Sequence, residues 1–237
     1  MSSHLLAQEE KEMKFLNNKV YYQISSSQAG IKTMNTSSNS GLSGGLLDMD
    51  EGLLHEFGYE RIIAPFTAVS ISYQFCNFDI SDAIKGNLSR VDVPDLELNY
   101  QFDKYQFDAI MLDFLFFLEI NNGVVIYMKM GVGSASFQVG EYQKIERSST
   151  VNRTTTQYKS NQVHNAMYRI GLGGTVGLYK NLGLALEVSY GGANFKGVDT
   201  QTVVTDDNTG IDTSESYSRQ TVIYRATNFS VGLNYNF

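Results

Sequence analysis

Residues 166–190 read AMYRIGLGGTVGLYKNLGLALEVSY, two alternating runs joined at Tyr179-Lys180-Asn181. In the first run Tyr168, Ile170, Leu172, Val176 and Leu178 share one parity, with Gly174 among them. Arg169, Gly171, Gly173, Thr175 and Gly177 hold the other. The second run sets Leu182, Leu184, Leu186, Val188 and Tyr190 against Gly183, Ala185, Glu187, Ser189 and Gly191. A period of two over this length means β-strand. The decisive feature is the face opposite the aliphatics, which is glycine, alanine and serine with an isolated charge. A water-washed wall would carry long charged side chains, and glycine in a strand costs conformational entropy. Small residues suit the inside of a narrow closed barrel, and the Leu/Val/Ile/Tyr face then looks outward into lipid.

The same parity test carried outward predicts eight strands. The first, residues 19–34, has Val20, Tyr22 and Ile24 on one face and blurs at Ser25-Ser26-Ser27. Residues 53–63 and 66–78 follow, joined at Ala64-Pro65. Strand four, 105–120, is the most apolar, with Ile110, Leu112, Phe114, Phe116, Leu118 and Ile120 on one face. Asn121-Asn122-Gly123 is a short hairpin turn into strand five, 124–139. The opening hairpin supplies strands six and seven, and 221–237 is the eighth. Between them 35–52, 79–104, 140–162 and 195–220 read as polar loops. Connections therefore alternate long and short. The expected fold is all-β: an eight-stranded up-and-down antiparallel transmembrane β-barrel with four long external loops and three short periplasmic turns. Residues 19–237 form the barrel and 1–18 a leader, whose first seven residues, MSSHLLA, look like a signal-peptide remnant.

Composition agrees with this and excludes other classes. The 237 residues suit one barrel of this size, and no run of about 18 apolar residues offers a transmembrane helix. Barrel strands give only alternate residues to lipid, so a mean hydropathy of −0.21 is compatible with a membrane. With no Trp, the 15 Tyr and 14 Phe are left to form any interfacial girdle. A balance of 18 Lys+Arg against 25 Asp+Glu speaks against nucleic acid. The single cysteine, Cys76, excludes an internal disulfide framework.

The chain ends Ser230-Val231-Gly232-Leu233-Asn234-Tyr235-Asn236-Phe237. This resembles the C-terminal signal of bacterial outer-membrane barrels, a polar residue, then Gly, then aromatic-any-aromatic at the terminus. The pattern Gly58-Tyr59, Ala64-Pro65-Phe66, Ser72-Tyr73 looks like the second hairpin of OmpA-type barrels. The resemblance is to the OmpA/OmpX/Opa-like group of small surface barrels. It implies an outer-membrane location, and a barrel-assembly machinery that reads Ser230, Gly232, Tyr235 and Phe237.

An eight-strand barrel is wide enough only for its own side chains. Parity sends Glu60, Asp113, Glu119, Lys129, Arg169 and Glu187 into it. With the turn centred at Asn122, Lys129 falls opposite Leu115 and diagonal to Asp113, within reach of a lysine. The expectation is a Lys129–Asp113 pair in a polar network that replaces a hydrophobic core. Such a network acts as a plug or, on the alternative reading, lines a narrow conduction path.

No catalytic constellation is evident. His4 lies in the leader, His55 and His164 at loop–strand junctions, and neither has a local Ser/Asp set for nucleophilic catalysis. Asp206-Asp207-Asn208-Thr209-Gly210 lacks the third oxygen ligand of a calcium loop. No metal, cofactor or enzyme activity is expected. Binding then falls to the external loops. Residues 35–58 carry Asp48, Asp50, Glu51 and Glu56 without a base, whereas 140–162 carries Lys144, Arg147, Arg153 and Lys159 against Glu141 and Glu146. The basic loop is a candidate contact for lipopolysaccharide phosphates or acidic host glycans, and Leu46-Leu47 and Leu53-Leu54 a candidate apolar contact. Three readings follow: a monomeric surface barrel for adhesion, host interaction or membrane integrity, a narrow OmpW-like channel for small or hydrophobic solutes, and a soluble lipocalin-like ligand-binding barrel.

Overall fold

The computed structural model describes residues 18–35, 52–78, 97–102, 104–121, 123–147, 154–206 and 208–237. Eleven strand segments are present: β1 (Asn18–Asn35), β2 (Gly52–Ala64), β3 (Thr67–Phe78), β4 (Glu97–Phe102), β5 (Tyr105–Asn121), β6 (Val124–Gln138), β7 (Tyr142–Arg147), β8 (Thr154–Ser160), β9 (Gln162–Tyr179), β10 (Leu182–Asp206) and β11 (Ile211–Asn236). The barrel order is β1-β2-β3-β5-β6-β9-β10-β11, all antiparallel, and β11 pairs back to β1 to close the ring.

The remaining segments continue barrel strands. Pairing of β5 with β6 ends at Gln106↔Gln138, and β4 with β7 resumes at Phe102↔Tyr142, four residues further along each chain. The β6–β9 register at Gln138↔Gln162 resumes as Tyr142↔Tyr158 between β7 and β8. The β9–β10 register at Met167↔Ala193 resumes as Ser160↔Thr200 between β8 and β10. Register is kept across every break, so one side of the barrel rises into a sheet ordered β11-β10-β8-β7-β4.

Much of what reads as loop is therefore strand. Residues 195–220 form a β-ribbon closed by a turn where Gly210 N donates to Asp206 O at 2.7 Å, and 140–162 contains β7 and β8. Ser and Thr suggested loops, yet Thr154–Thr156, Thr200, Val203 and Val204 are β-branched and suit a pleated surface once a neighbour satisfies the backbone.

Strand stagger fixes the barrel's width. Arg169 is level with Gly131, Asp113, Ser70, Glu60 and Lys19 in one direction. In the other it is level with Gly191, Ala226 and Ala29. The two routes reach β1 at Lys19 and at Ala29, a stagger of ten residues around eight strands, which goes with steeply tilted strands and a lumen filled by side chains.

Polarity locates the membrane. On β5 the outward residues Ile110, Leu112, Phe114, Phe116, Leu118 and Ile120 are 43–57% exposed while Asp113 is buried between them. Above Ile110 the sense reverses: Asp108 and Gln106 face outward, and Phe107 and Tyr105 are 1% exposed inside. The same change falls between Phe75 and Asn77 on β3 and between Val132 and Ser134 on β6. Below that line the wall is greasy outside and polar inside, and above it the order of a water-soluble protein returns. A water-washed barrel around an oily pocket has no such inversion, so the soluble reading falls.

Several turns use the left-handed backbone region, two of them at the periplasmic end being informative. Gly123 has φ 95° in the β5–β6 hairpin, as the Asn-Gly motif requires. Phe66 has φ 67° after Pro65, an uncommon conformation for a bulky residue, and its ring is 62% exposed at the periplasmic rim.

Candidate functional site

Three layers fill the lumen. The middle one is ionic and centres on Arg169. Its Nε and Nη2 donate to Asp113 Oδ1 and Oδ2 at 3.1 and 2.5 Å, and Nη1 donates to Glu56 Oε2 at 2.6 Å. Nη2 also reaches Ser72 Oγ at 3.2 Å. Glu56 further accepts from Gln74 Nε2 at 2.7 Å and Tyr21 OH at 3.0 Å. Lys129 Nζ lies 2.6 Å from Glu187 and 3.8 Å from Glu56, and Tyr127 OH donates to Glu187 at 2.9 Å. Nearer the periplasmic mouth Lys19 pairs with Glu60 at 2.6 Å.

Glycines make these contacts possible. Gly131 lies level with both Asp113 and Arg169, and a Cβ there would sit 2.0 Å from Asp113 Oδ1. Without a side chain on β6, the carboxylate and guanidinium meet across it. The Tyr21 ring likewise covers Gly58, at 2.2 Å from a hypothetical Cβ, and Tyr127 covers Gly173 at 2.5 Å. The small-residue face is the floor on which long polar side chains lie.

The register places Lys129 opposite Leu115, but the expected Lys129–Asp113 pair does not form. Arg169 occupies both carboxylate oxygens with its planar fork, and Lys129 turns to Glu187. Glu119 stands apart: it is exposed beside the bulge that closes β5 and β6. Glu56, which the sequence reading counts among loop acids, is 2% exposed at the heart of the layer. It shares the parity of Glu60 on the same strand, and that signal was available. Tyr21 and Gln74 gave none, because a tyrosine or glutamine on a strand reads equally well facing in or out.

The network also does not replace an apolar core. Above it Leu54, Phe78, Phe107, Phe137, Phe195 and Tyr224 form part of a buried cluster that closes the external end. Below it Ala68, Leu115 and Tyr127 pack with Ile62 and Phe117. Leu54 belongs to the upper cluster, whereas Leu53, level with Asn77 above the greasy band, faces outward at 53% exposure; Leu46 and Leu47 lie outside the described residues.

The other candidates scatter. Lys144 and Arg147 lie on β7, three residues apart and so of opposite parity, and Lys159 is exposed on β8. Arg153 and His4 lie outside the described residues. His55 faces outward at the external boundary, its Nδ1 2.8 Å from Tyr22 OH, and His164 is exposed on β9. Among the described residues no group of three His, Cys, Asp or Glu is placed to hold a metal. At the terminus Ser230 Oγ bonds Ser25 Oγ at 2.7 Å and Gly232 lies beneath Gln23. Tyr235 and Phe237 stack outward with ring centroids 6.5 Å apart, and Phe237 N donates to Asn18 O at 3.0 Å across the closing seam.

A closed eight-strand wall, apolar outside and ion-paired within, defines a small transmembrane β-barrel of the bacterial outer membrane. One solved structure agrees in fold. The chain is similar to a major outer membrane protein from Thermus thermophilus, with 12% identity over 93% of this chain and 99% of that one and a TM-score of 0.53. Neisserial surface protein A aligns at 10% identity over 93% and 97%, with a TM-score of 0.47. The attachment invasion locus protein Ail of Yersinia pestis aligns at 11% over 94% and 100%, with a TM-score of 0.41. No family model matches the chain. Among curated proteins there is no match either.

Proposed function

We propose that this protein is a non-enzymatic surface barrel whose working part is the sheet that rises above the membrane. The carrying observation is the filled lumen. Arg169, Asp113, Lys129, Glu187 and Glu56 are each 4% exposed or less, and the apolar cluster lies over them. A solute would have to displace buried ion pairs and then aromatic rings, so contact with the surroundings falls to the exterior. On this reading the rising strands engage host surface or matrix molecules, with Lys144, Arg147, Arg153 and Lys159 offering charge to acidic glycans or lipopolysaccharide. The barrel works as a monomer, and the assembly machinery reads Ser230, Gly232, Tyr235 and Phe237. Planar-bilayer recording of the refolded barrel tests the reading. It expects no defined single-channel steps, and steps of fixed amplitude would transfer the function to the channel alternative.

A further inference from the structure

Just above the lipid-facing band, the outward face of the β10–β11 ribbon carries two cations that meet no carboxylate among the described residues, Arg225 and Lys196. Arg225 lies flat over Gly192, where its Cδ would be 2.6 Å from an added Cβ. Its Nη1 donates to Ala193 O at 3.0 Å and to Tyr224 O at 2.6 Å, and its Nη2 to Asn194 Oδ1 at 3.0 Å. The guanidinium also stands 5.7 Å from the centre of the Tyr168 ring. Three acceptors and an aromatic face therefore hold the side chain in one orientation. A guanidinium has five donors, so the Nε–H and one Nη2–H remain.

Nε and Nη2 form the edge with which the other well-placed arginines grip carboxylates. Arg169 holds Asp113 this way in the lumen, and Arg219 holds Asp199 at 2.7 and 2.9 Å higher on the same ribbon. In Arg225 that edge has no anion. Lys196, exposed two residues beyond Asn194 on the same face of β10, adds a second charge. Tyr168 and Tyr190, both 43% exposed with rings 6.4 Å apart, mark the end of the apolar band immediately below.

We infer that Arg225 and Lys196 form a docking site for the phosphate of an outer-leaflet lipid, whose chains run down the wall past Tyr168 and Tyr190. The position selects the lipid over a dissolved anion: the cations sit where headgroups lie, above a surface that acyl chains must cover. This places the phosphate of the anionic lipid at the ribbon's base. It rests on the membrane orientation of the wall and is independent of what the upper sheet binds.

The test uses the folded full-length barrel in detergent, titrated with a diphosphorylated lipid A and with the same lipid stripped of phosphate, and bound lipid is read by native mass spectrometry. Wild type is expected to retain the phosphorylated lipid about tenfold better, the scale of one or two charge-assisted hydrogen bonds. Arg225→Gln combined with Lys196→Gln should remove that preference. Arg219→Gln, which deletes the same charge higher on the ribbon, should keep it. Lys196→Gln alone alters an exposed side chain and should still lower the preference at least about threefold. Inorganic phosphate at millimolar concentration should not displace the lipid. Equal retention of the stripped lipid, an unchanged Lys196→Gln, a loss in Arg219→Gln as large as in the double variant, or displacement by phosphate would each overturn the assignment.

Discussion

Replacing Arg169 with Met removes the hub of the lumen while keeping a long unbranched chain. Asp113 and Glu56, 0% and 2% exposed, then lose the guanidinium that both pair with. Glu56 keeps Gln74, Tyr21 and a distant Lys129, but among the described residues Asp113 is left with no cation within a salt-bridge distance. Breaking a buried pair by deleting one partner costs about 3–5 kcal/mol, mostly because the other charge stays buried and uncompensated. The deep layer already holds three acids (Glu56, Asp113, Glu187) against two bases, so the loss should lie at the upper end of that range. Urea unfolding of the barrel in lipid vesicles, followed by tyrosine fluorescence and heat-modifiable gel mobility, measures it. The triple variant Arg169→Met, Asp113→Asn, Glu56→Gln should recover most of the stability, because no buried charge is orphaned. An Arg169→Met barrel as stable as wild type, or a triple variant no better than the single, would refute the ionic layer as the stabilising element.

Lys129→Met should cost about 3 kcal/mol or more in the same assay through Glu187, whose remaining direct hydrogen bond among the described residues comes from the Tyr127 hydroxyl. Gly131→Ala places a methyl against the Asp113 carboxylate and should destabilise by about 1–3 kcal/mol, the range for overpacking, whereas Ala at lipid-facing Val132 should cost much less. Leu172→Arg, in the middle of the greasy band, should cost about 2–4 kcal/mol, and Arg at His164 above the band close to nothing, both read from vesicle unfolding.

The barrel was legible because one face of each strand had a composition that water would not tolerate. Leu172 beside Gly171 and Gly173 carries that signal locally, and the Asn-Gly hairpin fixed the register that set Lys129 against Leu115. What escaped has physical causes. Arg169 took Asp113 because a planar fork outcompetes a point charge, and strand parity does not rank partners. The rising sheet escaped because Ser and Thr are ambiguous until a neighbouring strand is known, and the neighbours of β7 and β8 are β4 and β10, distant in sequence. The apolar cap escaped because the inward positions change from polar to aromatic above Met111 on β5 without any change in periodicity.

Orientation of the wall decides between this account and every other, and spin labels placed singly at residues 110–116 of β5, in a Cys76→Ser background and in lipid bilayers, measure it. Collision with oxygen should be high and with a water-soluble nickel chelate low at Ile110, Leu112, Phe114 and Phe116, and Met111, Asp113 and Leu115 should be shielded from both. Nickel collisions at the even positions, with oxygen excluded, would place water against that wall and contradict the account.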